Sequence, residues 1–326
     1  MQAACSSGGD GNPPNGLPLP ILSTFPVTEE IQDGIILSKI GYVALGDNGL
    51  LIVDLSNDSK IIELNRVAIT GFAKVIGVAR RYVFIGSRCD GITAVNIVNP
   101  VYNPKIESEY RQSLTCNPES TDLGITDMVA LDTRLLLTFQ SSAPEFEGFV
   151  IINTATIGAP YKEGALTDLY DPRALCVVGN RAYVLDKQMG LVIIDIENTF
   201  TPKIVNYEDS IFATSTPRDI FVLNGRAIVA DDKGIRTFSV KDDTITAQGE
   251  LTLAGLEHIT MNGGHLFASA GDNGLQFIAL DNLAAPQLFG QMTFDDFIVN
   301  IAIEKDLGLI LSRHGLILAE GITQIQ

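Results

Sequence analysis

The stretch GLLIVDLSNDSKI, Gly49 to Ile61, decides how this chain folds. Taken alone, it is an apolar strand that delivers a carboxylate, Asp54, to its end, as a buried strand feeding a catalytic site would. The rest of the sequence repeats it. GITAVNIVNPVYNPKI begins at Gly91, GFVIINTATIGAPYK at Gly148, GLVIIDIENTFTPKI at Gly190, GIRTFSVKDDTIT at Gly234, GLQFIALDNLAAPQL at Gly274 and GLILAEGITQIQ at Gly315. Successive glycines are 42, 57, 42, 44, 40 and 41 residues apart. Self-similarity at a nearly fixed period marks a repeat architecture and outranks any single-site reading of Asp54.

Each copy has the same order of parts. A β-rich run broken by a turn comes first, as in ALCVVGNRAYVLD (Ala174 to Asp186), where Gly179-Asn180 separates two apolar stretches. A polar link then leads to the glycine, a second apolar run, a Pro/Asn/Asp turn and a last strand such as PKIVNYED. Four short strands per ~40 residues, with helix periodicity nearly absent, predict an all-β, seven-bladed β-propeller of four-stranded antiparallel blades. After Gly315 only 11 residues remain, too few for a complete last blade. The stretch LPILSTFPV, Leu19 to Val27, resembles the outer strands and is expected to supply the missing one, closing the ring and protecting its edge.

Composition narrows the function. The chain has 326 residues, 46% hydrophobic and 19% charged, enough for a large core. With 22 Lys plus Arg against 39 Asp plus Glu, the net charge of −17 repels polyphosphates and anionic headgroups, so nucleic acid is not expected as a partner. No apolar run reaches the ~20 residues of a membrane span. Residues 1–16 form a Gly/Ser/Pro/Asn-rich tether and 17–326 the propeller domain. MQAACSSGGDGNPPNG resembles a bacterial lipoprotein just after its signal peptide, with Ala3 and Ala4 before a lipid-accepting Cys5 and Gln2 where leucine is usual. That resemblance implies an exported protein, anchored at the outer membrane or cell surface with the periplasm as the alternative, meeting the membrane only through its lipid.

GLLIVD at Gly49 to Asp54 and GLVIID at Gly190 to Asp195 resemble the LVIVD repeat of bacterial and archaeal secreted or surface proteins. The resemblance covers about residues 17–326, strongly in blades one, two, four and six. It is weak in blades five and seven, where GIRTFSV and GLILAEG lose the aspartate. It implies a propeller fold and no particular activity, and it makes Asp54 part of a recurring turn.

The remaining chemistry is sparse. Asp47-Asn48, Asp231-Asp232 and Asp272-Asn273, each just before a repeat glycine or one residue removed, suit tight turns better than calcium clusters. No phosphate-cradling glycine motif, zinc spacing or nucleophile elbow is present, and no metal or cofactor is expected. His258 and His265 should lie near opposite ends of neighbouring strands. Strand phase places Asp33, Lys74, Asp127, Ala174, Asp219, His258 and Asn300 at equivalent positions near the start of each innermost strand. Gln32, Thr126, Arg173, Arg218 and Glu257 come just before. Asp33, Lys74, Asp127, Arg173, Arg218, Asp219 and His258 are therefore the candidate ligand-binding residues at the channel mouth. Cys89 and Cys116 are candidates for a disulfide, and Cys176 reads as a buried thiol. Residues Ser113–Gly124 and Gln140–Gly148 account for the long interval as surface elaborations. Two function classes follow. The favoured one is a non-enzymatic, monomeric, surface-tethered propeller that binds a protein or glycan partner. The alternative is a calcium-dependent propeller hydrolase of lactonase or phosphatase type, which Lys74, Arg173 and Arg218 disfavour by their charge.

Overall fold

The structure is a computed structural model, and it describes residues 19–100, 104–115, 124–141 and 148–324. The tether, Cys5, Cys116 and most of the two surface elaborations lie outside the described residues. Within them the chain forms seven four-stranded antiparallel sheets and two single turns of 3-10 helix. This is a seven-bladed β-propeller. No helix among the described residues is long and apolar enough to cross a membrane.

Blade four shows why the repeat folds as it does. Its strands run Pro172–Val178, Arg181–Asp186, Gly190–Asp195 and Lys203–Glu208, hydrogen-bonded in that order. The third strand is covered on both faces, so Leu191 to Ile194 are all buried and the sequence reads as an unbroken apolar run. The fourth strand is an edge, and its burial alternates residue by residue. The aspartate that ends the third strand closes a turn: Asp195 Oδ1 accepts the Glu197 N–H at 2.9 Å, and Asp54 Oδ1 accepts that of Ser56 at 2.8 Å. Asn96 and Asn153 do the same for Val98 and Ala155, both at 3.0 Å. Asp54 is thus held by the backbone two residues on, a turn that Asp and Asn share.

The repeat glycine has a separate cause. At Gly190 φ is +79°, and a Cβ there would stand 1.8 Å from the Glu208 carbonyl oxygen of the fourth strand. Gly49, Gly91 and Gly274 repeat this geometry against Val67, Tyr110 and Met292. Only glycine combines that backbone with so close an approach. Gly315 is different, with its nearest neighbours at 3.2 Å or more, because its fourth strand comes from the other end of the chain. Ile21–Pro26 pairs antiparallel with Gly315–Ala319 and completes blade seven beside Leu307–Ser312 and Ile298–Glu304.

The chain divides into two compact units. The described residues of one lie in Ala44–Leu51 and Leu64–Pro217, and those of the other in Cys5–Val43, Ile52–Glu63 and Arg218–Gln326. In the first unit, the core lies between blades: Phe84, Ile125, Leu137, Phe139 and Val150 join blades two and three, and Leu136, Ile151, Leu175, Val184 and Val192 join three and four. In the second, Ile228, Ile235, Ile259 and Leu266 join blades five and six, while Leu19, Phe267, Phe277 and Ile310 join six and seven. The first strands of neighbouring blades also pack on one another, Ala73–Ala79 on Gly124–Ala130 and that on Pro172–Val178 in the first unit. His258–Asn262 on Ile298–Glu304, and that on Asp33–Leu37, form the same arrangement in the second.

Candidate functional site

The candidate residues sit where these first strands begin. In four blades the ladder register breaks there by one residue, a β-bulge formed by Lys74, Thr126, Arg173 or Val299. The residue after the break resumes pairing: Val75 faces Gly86, Asp127 faces Thr138, Ala174 faces Leu185 and Asn300 faces Leu311. Lys74 is therefore equivalent to Thr126 and Arg173, not to Asp127, which corrects the phase read from the sequence for blade two. The bulge is invisible to polar/apolar counting from the strand's start. Counting back from the hairpin turns would have given Val75.

Two rows result. The second contains Asp33, Val75, Asp127, Ala174, Asp219, His258 and Asn300, and its acceptors join blades. In the first unit, Asp127 Oδ1 accepts the Met128 N–H at 2.6 Å and Oδ2 accepts the Leu175 N–H of the next blade at 2.7 Å. In the second unit, Asp219 repeats this with Ile220 at 2.7 Å and Ile259 at 2.8 Å. Asn300 Oδ1 accepts from Ile301 at 2.6 Å while its Nδ2 donates to Asp33 Oδ1 at 2.9 Å, and Asp33 Oδ1 also accepts from Gly34 at 2.7 Å. Three of the sequence-read acidic candidates are thus structural clamps whose oxygens meet backbone or amide N–H groups.

The residues one position before this second row are more open to solvent. In the second unit Arg218 Nη1 lies 3.2 Å from Glu257 Oε2, the two side chains 39% and 26% exposed. Beside them His258 Nδ1 lies 2.7 Å from Asp219 Oδ2, with the imidazole 44% exposed. Burial pushes the Glu257 carboxyl above the usual range, with Arg218, His258 and Arg313 opposing and Asp232 reinforcing the shift. In the first unit Arg173 pairs with Asp171 at 2.7 Å. Lys74 is half-buried, and burial together with the charges of Arg88 and Arg173 pulls its pKa down to about 8, Asp127 opposing. Arg88 was not among the sequence candidates. It follows Ser87, the partner of Ala73, and its N–H donates to Phe72 O at 3.0 Å, so along the ladder it lies on the other side of that rung from Lys74.

The acidic dipeptides are turns. Asn48 N–H donates to Leu45 O at 3.0 Å and Asn273 N–H to Ala270 O at 2.8 Å, while Asp231 Oδ1 accepts from Lys233 at 2.8 Å and Gly234 at 2.9 Å. Among the described residues no three His, Cys, Asp or Glu side chains are grouped so as to hold a metal ion. His258 and His265 lie at opposite ends of the paired strands His258–Asn262 and His265–Ser269. Cys89 is disulfide-bonded. The pairing read for it involves Cys116, outside the described residues. Cys176 is a buried thiol.

No curated protein matches the chain in sequence. The LVIVD repeat matches residues 39–68 and 171–206, within blade one and around blade four. Among solved structures, the WD40 β-propeller domain of Doa1 is 11% identical with a TM-score of 0.68, covering 92% of this chain and 96% of that one. The β-propeller domain of Myceliophteria thermophila Cps50 (Swd1) is 13% identical with a TM-score of 0.64, covering 93% and 99%. The computationally designed Ika8 protein is 9% identical with a TM-score of 0.62, covering 89% and 83%. At such identities these likenesses speak for the fold alone. Together with the strand order, they make this chain a seven-bladed β-propeller that carries LVIVD repeats.

Proposed function

We propose that the chain is a non-enzymatic binding scaffold, tethered to a cell surface through Cys5, that engages a protein or glycan partner at the loop face where its first strands begin. The observation that carries this reading is the arc in the second unit. Arg218 and Glu257, beside His258 and Asp219, present two adjacent acid–base pairs, 3.2 and 2.7 Å apart, with Arg218 and His258 substantially exposed. Alternating charges suit a hydrogen-bonding or zwitterionic partner, since each can be matched across the interface while its neighbour limits the cost of desolvation. The calcium-dependent hydrolase fits less well. Both oxygens of Asp127 and of Asp219 already accept backbone N–H groups, which leaves each carboxylate less acceptor capacity for an ion.

The test compares wild type with Arg218→Ala/His258→Ala in two assays, a glycan array and crosslinking capture from a surface extract. Loss of one specific glycan or one specific crosslinked protein in the double variant, with an unchanged melting profile, supports the arc as the binding site and identifies the partner class. Undiminished binding by the variant overturns it. Metal-dependent turnover of a lactone or phosphate ester, lost in Asp219→Ala, would replace the scaffold reading with the hydrolase.

A further inference from the structure

Arg313 lies beside the arc of the second unit and takes no part in its two acid–base pairs. It follows Ser312, the strand partner of Ile298, and its backbone is held on both sides. Its N–H donates to Phe297 O at 2.8 Å, and its carbonyl accepts the Ile31 N–H at 2.9 Å. Its guanidinium carbon stands 4.4 Å from the centre of the Phe297 ring. The edge of that ring rests on Gly271 of blade six, where a Cβ would meet it at 2.5 Å, so the stacked pair is fixed at the junction of blades six and seven. Ser269, two residues before Gly271, ties the same junction to the acid–base pairs. Its carbonyl accepts the Glu257 N–H at 2.9 Å, while its hydroxyl accepts the His258 N–H at 3.0 Å and donates to Val299 O at 2.9 Å. Arg218 pairs with Glu257 and His258 with Asp219, whereas the Arg313 guanidinium makes no hydrogen bond or ion pair with any described residue. Stacking engages the face of a guanidinium and leaves its in-plane N–H donors for a ligand.

We infer that Arg313 binds the carboxylate of a uronic acid sugar whose hydroxyls are read by the neighbouring Arg218–Glu257 and His258–Asp219 pairs. The inference rests on the partner-binding reading and narrows it to an acidic glycan. A planar guanidinium meets a carboxylate with two parallel N–H donors, a fit that a pre-stacked arginine offers at little ordering cost. One negative charge is favoured over several. Glu257 and Asp219 belong to the arc, the charge of Asp232 reaches Glu257, and the chain carries −17, so a dianionic phosphate or a run of acidic peptide side chains would be repelled. Sugar hydroxyls both donate and accept, so one hydroxyl can serve the arginine and the carboxylate of a single pair, which an acidic side chain cannot.

Wild type, Arg313→Gln, Arg313→Lys and a control at the exposed Arg226, Arg226→Gln, are titrated calorimetrically with methyl glucuronide, its neutral counterpart methyl glucoside, and a glutamate-rich peptide. Melting profiles are read alongside. The expected result is saturable binding of the glucuronide, roughly tenfold or more tighter than the glucoside, in wild type and the control. Arg313→Gln should lose that margin, and Arg313→Lys, which keeps the charge without the fork, should recover only part of it. In wild type alone the margin should shrink as ionic strength rises, a readout that needs no variant to fold. Equal affinity for the two glycosides in wild type, or an intact glucuronide preference in Arg313→Gln, overturns the site. Tighter binding of the peptide than of the glucuronide overturns the sugar assignment. Arg218→Ala/His258→Ala separates this inference from the reading beneath it. A glycoside bound through Arg218 and His258 without preference for the carboxylate, or a protein captured through them with no glycoside bound, sinks the Arg313 site and leaves the arc standing. Glucuronide binding undiminished in that double variant overturns the arc itself.

Discussion

Asp127→Ala tests whether the acidic residues of the second row are clamps between blades. The substitution removes an acceptor of two N–H groups, Met128 at 2.6 Å in its own strand and Leu175 at 2.7 Å in the next blade. Hydrogen bonds to an ionised acceptor are worth about 1.5–3 kcal/mol each, and the two amides left behind are part-buried, so some of the loss returns through water. The expected cost is about 2–4 kcal/mol. At roughly 2 °C per kcal/mol for a chain of this size, the melting midpoint should fall by about 4–8 °C. Asp127→Asn keeps one carbonyl oxygen and should lose about half as much. Asp132→Ala is the control, because its side chain is 80% exposed and its distance to Arg80 is 3.9 Å, a pair worth under ~1 kcal/mol. Site-resolved hydrogen exchange gives the local signature: an opening made easier by about 2 kcal/mol speeds Leu175 amide exchange roughly thirtyfold. A lowered midpoint with unchanged exchange at Leu175, or an Asp127→Ala variant as stable as Asp132→Ala, would refute the clamp.

Two further substitutions probe the repeat. Gly190→Ala drives a methyl to within 1.8 Å of the Glu208 carbonyl and should prevent folding or cost more than about 3 kcal/mol by urea unfolding, whereas Gly315→Ala, with 3.2 Å of clearance, should stay within about 1 kcal/mol of wild type. Equal effects would mean the closing strand packs like the others. Glu163 is buried among Thr199, Asn153 and Arg134, the Arg134 ion pair being 2.8 Å long. Burial alone would raise its pKa, but hydrogen bonds from these three groups and the Arg134 charge outweigh it and hold the carboxyl below the usual range. Its stabilisation is therefore present above the unfolded pKa near 4.5 and lost as pH falls through the lower folded value. Glu163→Gln should cost about 1–3 kcal/mol at pH 7 and progressively less below pH 4.5, as read by urea unfolding across that range; a difference independent of pH would refute the assignment.

Much of this protein was legible in one dimension, for a definite reason. A propeller blade buries its middle strands on both faces and exposes its fourth at an edge, so burial is written into each ~40-residue repeat as unbroken and alternating runs. The glycines at 49, 91, 190, 234 and 274 recur because each meets the fourth-strand carbonyl of its own blade, and Leu19 to Val27 stood out because blade seven would otherwise lack a strand. Each of these features depends on neighbours within one repeat or on the arithmetic of repeats. The candidate site depends on neighbours in other repeats. Asp127 meets Leu175 across 48 residues, Asp219 meets Ile259 across 40, and Asn300 meets Asp33 across 267. A sequence pattern marks these residues as polar at a strand's start but cannot distinguish a carboxylate spent on backbone amides from one offered to a ligand. The bulge at Lys74 shifts one strand by a single residue without changing its polarity pattern. Hydrophobic periodicity records which face of a strand is covered, whereas hydrogen-bond geometry and charge proximity between blades exist only once the blades are packed.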